Sequence, residues 1–330
     1  MRRIALPVIV AAIGAAVPLS CRALDFSQLN VRLDPRLETG ALWYEFDQET
    51  ALVQPMPNQP AESLSFAGFE GVKFSDVLPF IGGGLTLFLD RFFVDVSAQY
   101  AFEGEDSSSR KTNVFQEPTG TGGGGQAFTT DEVLNTEFDR IEGAVSVGYA
   151  FTEHVALFAG YKRARTDFGT LTRTGEVRGD VCGGQGPGCV TSLSGTFQDT
   201  VDLKFDYDGP FFGFSFLTDT LSLGALEGVL TGNIALAFLD GETEEQIGSG
   251  MLTTDDGMTI PLEPMPTQTL KGDATGLSAG ITWRGATPIE RLSYSIGVNG
   301  YTYDFSGEER ANFTETLVAF KFGVAYAIDF

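Results

Sequence analysis

The chain has 330 residues, 44 of them acidic and 21 basic, for a formal charge of −23, with 12% aromatic residues at a mean hydropathy of +0.03. So few basic residues disfavour a nucleic-acid partner, since phosphate binding needs concentrated Lys and Arg. A single histidine leaves no credible nucleophile–base pair, and no run of about 18 apolar residues is available to cross a membrane as a helix.

At the amino end, Arg2 and Arg3 precede an apolar stretch from Ile4 to Val17, which is the length of a secretory signal's hydrophobic region. Cleavage after Ala23 puts small residues, Cys21 and Ala23, at the two decisive positions. This predicts a signal peptide over 1–23 and one domain over 24–330. A lipidated Cys21 is the weaker reading, because Pro18 stands where such sites carry Leu. Loss of Arg2, Arg3 and Arg22 would leave the exported chain near −26.

Period-two alternation then predicts strands near 38–47 (Leu42, Tyr44, Phe46), 80–89, 92–103, 138–151 and 155–168. Asp90-Arg91 joins the second and third as a hairpin. In 198–217 the apolar parity changes, odd at Val201, Leu203, Phe205 and Tyr207 and even at Phe212, Phe214 and Phe216. A bulge at Gly209-Pro210 is the expected cause. Strands near 227–240, 270–284 and 291–305 follow. The last runs from Val318 through Phe320, Phe322, Val324, Tyr326 and Ile328 to Phe330, with small or charged residues between.

An alternating strand that closes on Phe330, with Ile328, Tyr326, Val324 and Phe322 in the same row, resembles the assembly signal of Gram-negative outer-membrane β-barrels. The resemblance implies an all-β, antiparallel up-and-down transmembrane barrel of about ten strands, with eight or twelve as alternatives. It also implies the outer membrane as location. Its partners would be outer-membrane lipids, lipopolysaccharide and the barrel assembly machinery. The connections support it: 48–79, 104–137, 169–197, 241–269 and 306–313 are mostly long, whereas 90–91, 152–154, 218–226 and 285–290 are short, as periplasmic turns are. Aromatic residues near short turns (Phe92, Phe151, Phe216, Trp283, Phe330) and near long loops (Phe46, Tyr100, Phe102, Tyr161, Phe238) predict two interfacial girdles.

Candidate sites are few. Cys182 and Cys189 flank a Gly-rich spacer and predict a disulfide in an oxidising compartment. Arg163 and Arg165 face outward above the lipid and could pair with lipid phosphate. Arg140, Glu142, Lys162 and Lys321 face the lumen and are long enough to cross it, so Arg140→Ala is expected to raise conductance. Asp206-Tyr-Asp-Gly209 starts like a calcium loop but lacks the later bidentate acid, so turn chemistry is expected. Asn312-Phe313-Thr314 is a chance glycosylation match, Gly120–Gly125 a flexible loop, and His154 an exposed turn residue. Residues 241–269 carry six acids without a base, which leaves divalent-cation binding and plain solvation both open, and the metal question with them. No cofactor motif is present. The reading is a non-enzymatic outer-membrane barrel, a narrow pore or structural barrel. Adhesion or ligand binding through the external loops is the alternative, and an outer-membrane enzyme ranks third.

Overall fold

In a computed structural model the described residues are 31–50, 65–69, 72–116, 126–181, 191–223, 226–262, 264, 267–307 and 311–330. The predicted signal segment 1–23, Gly120–Gly125 and both Cys182 and Cys189 lie outside them. Ten long strands make the barrel: β1 (Val31–Thr50), β2 (Val72–Leu89), β3 (Phe92–Gln116), β4 (Gln126–Ala150) and β5 (Val155–Val181), then β6 (Thr191–Leu217), β7 (Leu226–Ile247), β8 (Gln268–Ala286), β9 (Leu292–Gly307) and β10 (Ala311–Tyr326). Each pairs antiparallel with its neighbours in sequence. β1 closes the ring on β10, from Arg36 opposite Ala325 to Thr50 opposite Ala311. Closure leaves no lipid-facing edge, as a spanning sheet requires. Asp90-Arg91 joins β2 to β3, and Asp90 adopts a φ of 55°, a conformation that Asp tolerates better than most residues.

From β2 to β10 the lower half of each strand follows the predicted pattern, whereas β1 begins at Val31 and its predicted face of Leu42, Tyr44 and Phe46 is buried inside. Val145 and Val147 on β4, Val155 and Leu157 on β5, Phe212 and Phe214 on β6, and Phe320, Phe322, Val324 and Tyr326 on β10 are exposed and outward. Each strand contributes about eight to ten residues to this belt, which at ~3.3 Å rise and ~40° tilt spans ~25 Å, the thickness of an outer-membrane hydrocarbon layer. The barrel is therefore built for lipid. Exposed Phe92, Phe151 and Phe330 mark the short-turn end of the belt, and exposed Phe102, Tyr161 and Phe238 the other end.

Above the belt the structure departs from the sequence reading. The stretches 104–137 and 169–197, expected as loops, are largely strand, so β3 and β4 reach 25 residues and β5 and β6 27. Their upper parts rise roughly 40 Å beyond the lipid. There the solvent is water on the outside, so the apolar face turns inward.

This inversion accounts for the parity change in β6. Val201, Phe205 and Tyr207 are buried in the interior, and Phe212, Phe214 and Phe216 face lipid, while the register with β5 runs unbroken from Lys204 to Phe216. Gly209-Pro210 is not a bulge, because the register with β7 is also the same on either side of it. Phe46 likewise belongs to the interior, at 4% exposure, and not to the outer girdle.

The true bulges are elsewhere. Register shifts occur between Ala101 and Gly104 on β3 and between Asp167 and Thr170 on β5. The second contains Gly169 at φ +58°, where a Cβ would be strained, and the Thr136 hydroxyl donates to the Phe168 carbonyl at 2.7 Å to hold the kink. Asp206–Gly209 is continuous strand, neither turn nor calcium loop, because pairing on both sides uses its backbone. Asn312 and Thr314 are likewise in β10.

One further element sits at the far end. Gly250–Thr254 and Thr259–Leu262 form a hairpin that adds to the upper part of β6, where β7 has ended. At its tip the Thr254 hydroxyl and the Met258 amide hold the Asp256 carboxyl below the usual carboxylate range. Exposed Met258 gives a topology test. In a variant without the native cysteines, Met258→Cys is expected to react with an impermeant thiol reagent on intact cells, and Glu153→Cys only after lysis. Labelling of residue 153 on intact cells would invert the barrel.

Candidate functional site

Inward residues of β4, β5, β6, β9 and β10 meet at the level where the belt ends. Arg140 and Glu315, on strands across the lumen from each other, have side chains 1% and 0% exposed, and Arg140 Nη1 lies 2.6 Å from Glu315 Oε1. Nη1 also donates to Thr166 Oγ1 at 2.8 Å, and Nη2 to Glu142 Oε2 at 3.2 Å and to the Tyr207 hydroxyl. Tyr207 in turn donates to Glu315 Oε2 at 2.8 Å. Lys162 Nζ lies 2.8 Å from Glu142 Oε1, 4.5 Å from the Tyr301 ring centroid and 4.9 Å from that of Tyr303, whose hydroxyl it also contacts. Charges that would be prohibitive singly are tolerated here because they are paired and hydrogen-bonded.

Of the four predicted lumen residues, the structure brings Arg140, Glu142 and Lys162 together. Lys321 does not cross: it lies 3.5 Å from Glu38 on the adjacent β1, at the end of a wall-bound chain Lys321–Glu38–Arg36–Asp95. Glu315, Tyr207 and Tyr303 are partners that the sequence reading missed. Glu315 lies between the 306–313 connection and the alternating row that starts at Val318, and it continues the odd-numbered inward row of Leu317 and Ala319. Extending that row upward would have found it.

Over this network lies an aromatic layer. Tyr44 and Phe138 have ring centroids 5.2 Å apart, Phe46 and Phe168 5.3 Å, Phe74 and Phe168 5.7 Å, and Phe205 and Phe313 4.4 Å. Leu42, Leu78, Leu171 and Phe305 complete the core. The layer packs rings from β1, β2, β4, β5, β6 and β10 directly over the network. Arg140 lies beneath these rings, and loss of Arg140 alone would leave them in place.

Below the network the lumen opens into a cavity of about 1270 Å³ that runs down to the short turns, past Ser97, Ser146, Asn233, Ser278 and Phe158 to His154 and Arg291. Its walls carry further ion pairs: Arg36 with Asp95 at 2.6 Å and Arg284 with Asp34 at 3.4 Å. His154 is exposed in its turn, its Nδ1 3.0 Å from the Leu217 carbonyl.

On the outside, Arg163 and Arg165 face the solvent just above the belt. Both turn to Asp206: Arg165 Nη2 lies 2.5 Å and Arg163 Nη2 3.6 Å from its carboxylate. Asp208, Asp240, Glu242 and Glu244 surround them, with Lys271 as the other nearby base. Among the described residues no group of three or more His, Cys, Asp or Glu is arranged to hold a metal ion.

No protein-family model and no curated protein matches the sequence. Among solved structures, the chain is similar to the outer membrane protease OmpT from Escherichia coli, with a TM-score of 0.50 and 11% identity over 91% of this chain and 97% of that one. A Pseudomonas aeruginosa FadL homologue aligns with a TM-score of 0.26 and 10% identity over 89% of this chain and 90% of that one. The likeness at such identities is one of fold, and the fold is that of a Gram-negative outer-membrane β-barrel.

Proposed function

For this outer-membrane β-barrel we propose a non-enzymatic role, as a closed structural barrel that carries a tall β-extension at the cell surface. The observation that carries the reading is the cross-lumen pair Arg140–Glu315 beneath the aromatic layer, which argues against a through-going pore. The sole histidine lies at the short-turn end, so no histidine is available to pair with an acid or hydroxyl at the external end, which supports the non-enzymatic reading. Planar-bilayer recording of the purified protein is expected to show no stepwise current. Large, persistent porin-like steps, or entry of oligosaccharides in a liposome-swelling assay, would overturn the reading.

A second reading favours surface interaction. The hairpin Gly250–Leu262 and the upper strands form built structure, and acids such as Glu242, Glu244, Asp255 and Asp256 leave it strongly negative. Lipid-phosphate contact through Arg163 and Arg165 has weaker support, since Asp206 already shares both guanidinium groups and the flanking acids repel phosphate.

A further inference from the structure

The cavity under the seal has a chemistry that the closed-barrel role does not need. The charged groups deep in the cup are satisfied within the wall, Lys162 by Glu142 at 2.8 Å and Asp95 by Arg36 at 2.6 Å, with Asp34 and Arg284 3.4 Å apart lower down; the other charges, Arg91, Glu153, Glu227, Glu290 and Arg291 among them, lie at the short-turn mouth. An ionic ligand seated deep in the cup would have to break one of these pairs. The neutral groups are different. Ser97, Ser146, Ser215, Thr231, Asn233 and Ser278 line the cavity, and their side chains make no hydrogen bond to the protein among the described residues.

Aromatic rings are set among them. Phe158 and Phe211 form an edge contact with centroids 6.2 Å apart, Phe88 and Phe93 a tilted pair at 6.2 Å in another sector of the wall, and Tyr301 lies at the ceiling. Small residues, Ala144, Ala235, Ala237 and Gly276, keep the bore wide between them.

We propose that this cup is a binding site for a neutral, hydroxyl-rich small molecule, a saccharide of roughly one to three rings, entering from the short-turn side. Ring faces accept the C–H faces of a sugar, and unpaired hydroxyl and amide groups meet its hydroxyls. A purely apolar ligand would instead bury those groups unpaired. The volume of about 1270 Å³ exceeds that of common ligand sites, which leaves room for bridging water. The inference rests on the seal above the cup, which makes it a dead end and hence a place to hold a ligand.

The test is calorimetric titration of the folded protein, in a detergent without a sugar headgroup, with maltose and with N,N′-diacetylchitobiose. The two probes separate a storage-glucan source from a cell-wall glycan source. Saturable binding of at least one is expected, weakened at least about tenfold in the variant Ser97→Ala/Ser146→Ala/Ser215→Ala, as loss of net hydrogen bonds implies. Ala156→Phe, which narrows the cup three inward positions below Lys162 and away from the Arg140 network, should abolish it. Both variants must keep wild-type heat-modifiable mobility. Failure of wild type to bind either sugar, equal binding by the triple variant, or saturation by a hydrophobic naphthalene dye that no sugar displaces would each overturn the proposal. Bilayer currents through the same preparation would overturn the seal itself, whereas a silent barrel that binds neither sugar overturns the saccharide site alone.

Discussion

Glu315→Ala is expected to destabilise the folded barrel by about 3–5 kcal/mol, because it strands the Arg140 guanidinium in a site from which water is excluded. Glu315 accepts from both Arg140 and Tyr207, so one truncation breaks contacts that reach three strands. The measurement is the temperature, or the urea concentration in detergent, at which the fast-migrating folded band converts to the unfolded one. The paired change Arg140→Met/Glu315→Leu removes both charges, and should recover most of the loss, since a well-packed apolar pair can replace a buried ion pair at little cost. If Glu315→Ala unfolds with the wild type, the pair is not holding the lumen together. Conductance should respond less than the sequence reading expects. Arg140→Ala leaves Tyr44, Phe46, Phe74, Phe138 and Phe168 packed above the vacated space, so currents are expected to stay near wild type.

Deletion of Phe330 is expected to abolish accumulation of folded protein in the outer membrane. The Phe330 amide donates to the Val31 carbonyl at 3.0 Å, and Ile328 and Asp329 pair with Leu33 and Arg32, so these residues finish the seam between β1 and β10 at the lipid boundary. Its ring is 79% exposed and outward, which leaves it accessible to whatever recognises the unclosed strand. An unfinished seam exposes backbone groups at the edge of the hydrocarbon, at several kcal/mol each. Cell fractionation with heat-modifiability gels reads the result. A normal amount of folded barrel in the outer membrane after the deletion would refute it.

These two expectations draw on different levels of information. The row ending at Phe330 is local: alternate residues on a strand point to opposite faces, so a lipid-facing strand writes itself as every second residue apolar. Glu315 is not local. It is separated from Arg140 by 175 positions, and nothing short of the closed ring brings the two within 2.6 Å. The same holds for Lys162, whose ammonium rests on two tyrosines of β9, and for Lys321, whose length fits a cross-lumen role but whose nearest acid is on the neighbouring strand.

By itself, the sequence determined the class of fold, a count of about ten strands, the hairpin at Asp90-Arg91 and most of the lipid face, because each depends only on period two and on the spacing of turns. Only the tertiary structure decided where the strands end and what fills them. Above the lipid the solvent changes from hydrocarbon to water, and the apolar face moves from the outside of the barrel to the inside. Val201 and Phe205 therefore look like a slipped register in the sequence, and prove to be core of the same continuous strand. Pattern reports that a face is apolar. Which side of a closed sheet that face looks toward depends on the surrounding solvent, and only the assembled barrel sets that.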